Sequence, residues 1–107
     1  ASNPEDAAVA ANTLIESGGG IACVKDGKII AKLDLPIAGL ISPLPAQELA
    51  LKTERIKDTL QELGMTDNYP LLKIATLTLA VIPKAKITDK GLLNVNEQKF
   101  MPLFPRL

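Results

Sequence analysis

Histidine is missing from this 107-residue sequence, and so is tryptophan. Without an imidazole there is no Ser-His or Cys-His nucleophilic pair, and the commonest transition-metal ligand is gone. Cysteine is nearly missing too. The one residue, Cys23, has no internal partner for a disulfide and lies within an apolar run, the pattern of a reduced, cytoplasmic setting. Aromatic residues amount to 3%, too few for base-stacking platforms. Neither charge is in excess, because 12 Lys and Arg face 12 Asp and Glu. The electrostatic term that dominates binding to nucleic acid or an anionic membrane is therefore absent, and neither partner is implied. No run approaches the roughly 18 apolar residues of a membrane-spanning helix, and the acidic N-terminal stretch is no signal peptide. These absences describe a soluble chain.

What is present is aliphatic. Apolar residues make up 47% of the chain, so its core is built from Leu, Ile, Val and Ala. The length fits a single domain, residues 1–107, which buries roughly 60 to 70% of the surface that its unfolded form exposes. The chain is organised around the stretch Leu33 to Pro43. Pro36 has no backbone donor and restrains Leu35 to extended geometry, and Gly39 invites a turn, so no regular element runs through it. Yet Leu35, Ile37, Ala38, Leu40 and Ile41 are apolar. A greasy loop needs cover, and the cover is either the chain's own core or another domain or subunit. On the second reading Pro36, Ile37, Gly39, Leu40, Ile41 and Ser42 form a candidate interdomain contact loop.

Local signals place the elements around it. Asn3, Pro4, Glu5 and Asp6 open a helix that runs to about Ser17, with Ala7, Ala8, Ala11, Leu14 and Ile15 as its apolar face. Gly18-Gly19-Gly20 follows a helix and precedes a strand, the reverse of the order in a phosphate-binding loop, and reads as a C-terminal cap. Ile21 to Val24 and Lys28 to Leu33 flank Asp26-Gly27, the signature of a type I′ hairpin. Ser42 or Leu44 caps a second helix to about Leu63, with Leu49, Ile56, Leu60 and Leu63 as its stripe and Gly64 after its end. Leu71 to Ile82 fits both periods; its Thr and Ile content favours a strand. Lys86 to Thr88 and Leu92 to Val95 flank a three-residue turn, Asp89-Lys90-Gly91, and Lys99 to Phe104, broken by Pro102, is an edge strand or a tail. The order predicts an α+β fold, a mainly antiparallel sheet with two helices packed on one face.

The search for chemistry is short. The aspartates sit at caps, turns or exposed helix positions, where their structural use is sufficient. No metal-ligand spacing occurs among them. Ser42, without a base nearby, is a weak nucleophile and serves better as a cap. The chain has no catalytic, metal or cofactor residue of its own to nominate, which favours a domain serving chemistry located elsewhere.

A family resemblance enters through several stretches in order. They are Asn3 with Asp6, Ala10-Ala11-Asn12, Gly18-Gly19-Gly20 leading to Val24-Lys25-Asp26-Gly27-Lys28, and Leu35 to Ser42 with Pro45-Ala46. Leu63-Gly64, Leu77, Leu79, Val81-Ile82-Pro83 and Ile87-Thr88-Asp89-Lys90-Gly91-Leu92 continue the series. Over Asn3 to Val95 the chain resembles the C-terminal domain of bacterial adenine deaminase, a member of the amidohydrolase superfamily. It departs from the family at Ala7 and Ile41, where Met is usual, and at Leu71 to Leu77, where the family is rich in Phe.

The resemblance implies a parent enzyme of purine salvage that hydrolyses adenine to hypoxanthine and ammonia with a metal-activated water in a (β/α)₈ barrel. A barrel of that kind takes roughly 250 residues, and this chain does not hold one. The parent's binuclear manganese or iron then belongs to the barrel domain, which becomes the partner of this chain, and adenine is the parent's substrate. The parent is expected to be a homo-oligomer in the cytoplasm. The resemblance thus implies an accessory domain, inactive alone. The alternatives are a stand-alone interaction or regulatory module without catalysis, and a small enzyme or ligand-binding domain in its own right.

Overall fold

Asn3 supplies what the start of a helix needs, an acceptor for an orphan amide. Its Oδ1 accepts the Asp6 backbone N–H at 2.7 Å and Pro4 fills the first turn, so helix α1 runs over Pro4–Ser17 as expected. The structure is a computed structural model that describes residues 3–79, 81 and 84–104. α1 closes with Gly18 N–H donating to the Ile15 carbonyl and Gly19 N–H to the Leu14 carbonyl, a Schellman arrangement. Strands β1 (Gly20–Lys25) and β2 (Lys28–Asp34) then pair antiparallel. Asp26 and Gly27 take φ of 53° and 73°, the type I′ turn that Asp-Gly predicts. A bulge follows, because Cys23 pairs with Ala31 while Val24 pairs with Ile29. The extra residue, Ile30, leaves Cys23, Ala31 and Leu33 on one buried face.

Helix α2 (Ala46–Glu62) begins later than the sequence indicates, and neither Ser42 nor Leu44 caps it. The Ser42 hydroxyl instead accepts the Leu44 N–H at 3.2 Å, a local turn that competes with the cap, and Pro45 stands at the N-cap without a side-chain bond. Its C-terminus closes as α1 does, with Gly64 N–H on Gln61 and Met65 N–H on Leu60. α1 and α2 both pack on the hairpin. Ile56 has no exposed surface, and with Leu60 it covers Cys23, Ala31 and Leu33 in the described interior.

The expected face of α1 requires correction. Ala7, Ala8, Ala11 and Ile15 are exposed, and Asp6 and Thr13 are buried instead. Both polar groups are satisfied where they are buried. Thr13 Oγ1 donates to the Val9 carbonyl at 2.8 Å, and Asp6 Oδ1 accepts the Gly27 N–H at 2.6 Å across 21 residues of sequence. Asn3 Nδ2 donates to the other Asp6 oxygen at 3.0 Å. The N-terminus of α1 is thereby tied to the hairpin turn.

The chain divides into two compact units, Ala1–Asn68 and Tyr69–Leu107. In the second, helix α3 (Pro70–Thr78) replaces the strand expected from Leu71; Ala80 and Ile82 of that stretch lie outside the described residues. Pro70 starts the helix, and the Thr76 and Thr78 hydroxyls donate to the Leu72 and Ala75 carbonyls, so the threonines that favoured a strand are accommodated in a helix. β3 (Ala85–Thr88), β4 (Gly91–Asn94) and β5 (Lys99–Met101) form an antiparallel meander with β5 on an edge. Thr88 already pairs with Gly91, so the turn between paired residues is Asp89-Lys90, one residue shorter than expected. The class is α+β with antiparallel pairing throughout the described residues. Among the described residues there are two sheets and three helices in place of one sheet and two helices.

Two outcomes follow from this packing. Ile56→Ala removes a fully buried side chain from a small interior and is expected to destabilise the first unit by about 2 to 5 kcal/mol in chemical denaturation followed by circular dichroism. The Gly27 N–H, with help from Asn3, holds the Asp6 carboxyl below its ordinary value of 3.8, while burial opposes the shift. A lowered folded-state value means that Asp6 contributes stability above pH 3.8 and loses it as the pH falls through the folded-state value. Thermal melts across this acid range are expected to show that component in the native chain and not in Asp6→Asn.

Candidate functional site

The loop that the sequence singles out is built as a small, closed turn. Ile37 and Ile41 bridge each other, with Ile37 N–H donating to the Ile41 carbonyl at 3.2 Å and the Ile37 carbonyl accepting both Leu40 and Ile41 N–H at 3.1 Å. Ala38 and Gly39 cross the top with φ of 55° and 71°. For alanine the left-handed region costs on the order of 1 kcal/mol, and such strain persists only where the surroundings impose it.

The base of the loop is held against the end of α1. Leu35 N–H donates to the Gly19 carbonyl at 3.0 Å. A Cβ on Gly19 would stand 2.7 Å from Gly39 Cα and 3.2 Å from the Leu35 carbonyl oxygen, so the two backbones approach as only glycine allows. The triple glycine is therefore a platform for the loop as well as the end of a helix.

The structure brings Pro36, Ile37, Gly39, Leu40, Ile41 and Ser42 together on this one feature and leaves its apolar part in solvent. Ile37 is 49% exposed, Leu40 67% and Ile41 57%. Pro36 is exposed, whereas Gly39 and Ser42 are half-buried. Ser42 is engaged with the Leu44 amide rather than poised for chemistry. Covering three such side chains is worth about 1 to 2 kcal/mol each, so the loop has the chemistry of a contact surface.

Elsewhere in the first unit an open cleft of about 210 Å³ is lined by Asp6, Ala10, Cys23 and Leu60 among others. Its two reactive groups are both restrained. Burial pushes the Cys23 thiol above its ordinary range, which keeps it protonated and unreactive, and Asp6 is occupied by Gly27 and Asn3. The role of Asp6 as a tie to the turn was hidden in the sequence, where an acidic first-turn residue has a sufficient local explanation. The only signal was a carboxylate facing an Asp-Gly turn 21 residues away, and nothing local encodes that approach. Among the described residues no group of three or more His, Cys, Asp or Glu side chains is placed to hold a metal ion, and none of the described helices is long and apolar enough to cross a membrane.

Comparison with known proteins gives this surface a context. The family model for the adenine deaminase C-terminal domain matches residues 1–99. The chain is 42% identical over 102 residues to an adenine deaminase of Clostridium botulinum (strain ATCC 19397 / Type A), a match covering 95% of this chain and 17% of that protein. It is 45% identical over 101 residues to an adenine deaminase of Bdellovibrio bacteriovorus, covering 94% of this chain and 17% of that protein. A third, from Thermosipho melanesiensis, is 45% identical over 102 residues, covering 95% and 18%. The chain thus spans less than a fifth of the length of these relatives. With nearly all of its length matched to one region of much longer proteins, this chain belongs to the adenine deaminase C-terminal domain family.

Proposed function

We propose that the chain is the accessory domain of an adenine deaminase whose reaction centre lies in the polypeptide outside the matched region. The parent takes adenine and water to hypoxanthine and ammonia, a hydrolase of the amidohydrolase superfamily acting in purine salvage in the cytoplasm, as a homo-oligomer and without nucleic acid or membrane partners. The observation that carries this reading is the family match over residues 1–99 in a chain with no histidine. The donor set here does not fit a catalytic metal: without imidazole, and without a carboxylate or thiolate cluster among the described residues, no step of the reaction is assigned to this chain. The manganese or iron pair that the reaction calls for belongs to the parent's barrel domain.

The chain's own contribution is positional. Residues 1–107 act as one accessory domain, and Pro36 to Ser42 form its contact with the barrel domain. The loop suits this role because its apolar side chains are presented on a turn that is already closed by three backbone hydrogen bonds, so little ordering entropy remains to be lost on docking.

Two assays test this. The 107-residue chain incubated with adenine and manganese or ferrous iron is expected to release no ammonia, and turnover by the chain alone overturns the proposal. In the full-length enzyme, Leu40→Asp is expected to lower kcat/KM about tenfold, the equivalent of roughly 1.4 kcal/mol of docking energy. Melting of the isolated chain should stay within about 0.5 kcal/mol of the native sequence, because Leu40 is already largely in solvent. Gly19→Ala, which forces the Gly39 backbone away, is expected to reproduce the activity loss without changing any loop side chain.

A further inference from the structure

The described residues of the unit Tyr69–Leu107 form no apolar interior of their own. Among its described residues the buried one is Pro70. A unit shorter than about 40 residues ordinarily needs a disulfide, a metal or a partner to hold its fold. This one has neither cysteine nor histidine.

Its apolar residues are nevertheless arranged. α3 carries Leu71, Leu72, Ile74, Ala75 and Leu77 against one charge, Lys73. At 100° per residue these positions spread around most of the helix, the pattern of a helix covered on more than one side. Leu72 and Leu77 are instead 67% and 65% exposed. On the meander, Ile87 pairs with Leu92 and Leu92 with Met101, so the three stand in a row on one face. Ile87 is 76% exposed and Met101 41%.

We propose that α3 and the Ile87–Leu92–Met101 row are further docking surfaces, each occupied by an apolar surface of the deaminase polypeptide outside the matched region, and that these contacts hold the second unit in its fold. The inference rests on the reading of the chain as part of a longer enzyme. The occupant follows from length: the matched region is 17 or 18% of the relatives, so a much larger body of chain is covalently tethered to it. Tethering gives that surface an effective concentration in the millimolar range, far above that of a free second copy at ordinary protein concentrations.

Amide hydrogen exchange on the isolated chain and on the full-length enzyme tests this. Amides of Leu71 to Thr78 and Ile87 to Leu93 are expected to exchange about tenfold or more slowly in the full-length enzyme than in the isolated chain. β1 and β2 amides are expected to match in both. Equal protection of the second unit in both samples overturns the proposal, because the faces are then covered from within the chain. Protection in the isolated chain that rises with its concentration also overturns it, in favour of a second copy. Ile87→Asp in the full-length enzyme is expected to abolish the added protection over α3 and β4 while leaving the hairpin amides unchanged. Ammonia release by the same full-length sample reports the deaminase reading separately, so the two ideas fail independently.

Discussion

A small interior is the constraint on which everything else in this protein depends. Cys23, Ala31, Leu33, Ile56 and Leu60 are the apolar residues buried among those described, in a chain that is 47% apolar. Two helices resting on a two-stranded ribbon offer one buried face, and an isolated hairpin is at best marginal without such cover. Ile56 matters for that reason. It is a buried residue of α2, the helix that packs on the ribbon, and it has no exposed surface. Some of the aliphatic residues that this interior does not take stand together on the turn at Ile37–Ile41, on α3 and in the meander row, while others, such as Ile15 and Leu51, are exposed singly. Exposed apolar residues that stand together are what the proposed docking requires, whereas single ones are ordinary on a protein surface.

The interior is supported by polar groups used economically. Asp6, Thr13 and Thr59 are buried, and each is satisfied: Asp6 by the Gly27 amide, Thr13 by the Val9 carbonyl and Thr59 by the Arg55 carbonyl. No buried side-chain nitrogen or oxygen among the described residues lacks a partner. This explains the orientation of α1. A helix whose inward threonine bonds to its own backbone, and whose inward carboxylate meets a turn amide, bears little desolvation cost. Ala7, Ala8 and Ala11 stay outside.

What could be read from the sequence was whatever short-range chemistry decides. Asn3-Pro4 with an acidic first turn, Asp26-Gly27 and Gly64 each act within four residues, and each was placed correctly. The α+β class followed from their order. The inward face of α1 was not legible, because the burial of Asp6 depends on a turn amide 21 residues away. α3 was misread for a related reason: Thr76 and Thr78 count toward a strand by propensity, but their hydroxyls bond to helix carbonyls, a use that propensity averages away. The loop was legible as an apolar segment barred from regular structure. Its fastening was not, because Gly19 and Gly39 meet backbone to backbone and leave no side-chain pattern.

On the proposal that the loop docks, the effort spent on its turns has an energetic reason. A contact surface made of a flexible apolar segment would lose on the order of 1 to 2 kcal/mol per residue ordered, as much as its side chains gain on burial. Here that cost is met during folding. The Ile37–Ile41 bridge, the Gly19–Leu35 bond and the glycine-to-glycine approach fix the backbone within the chain itself. Ala38, held at a φ of 55°, shows that the surroundings impose the shape at some expense to the residue itself. A loop fixed in this way can recognise a partner surface with three aliphatic side chains. A loop without that scaffold would need a larger patch, and would expose it to aggregation in the meantime.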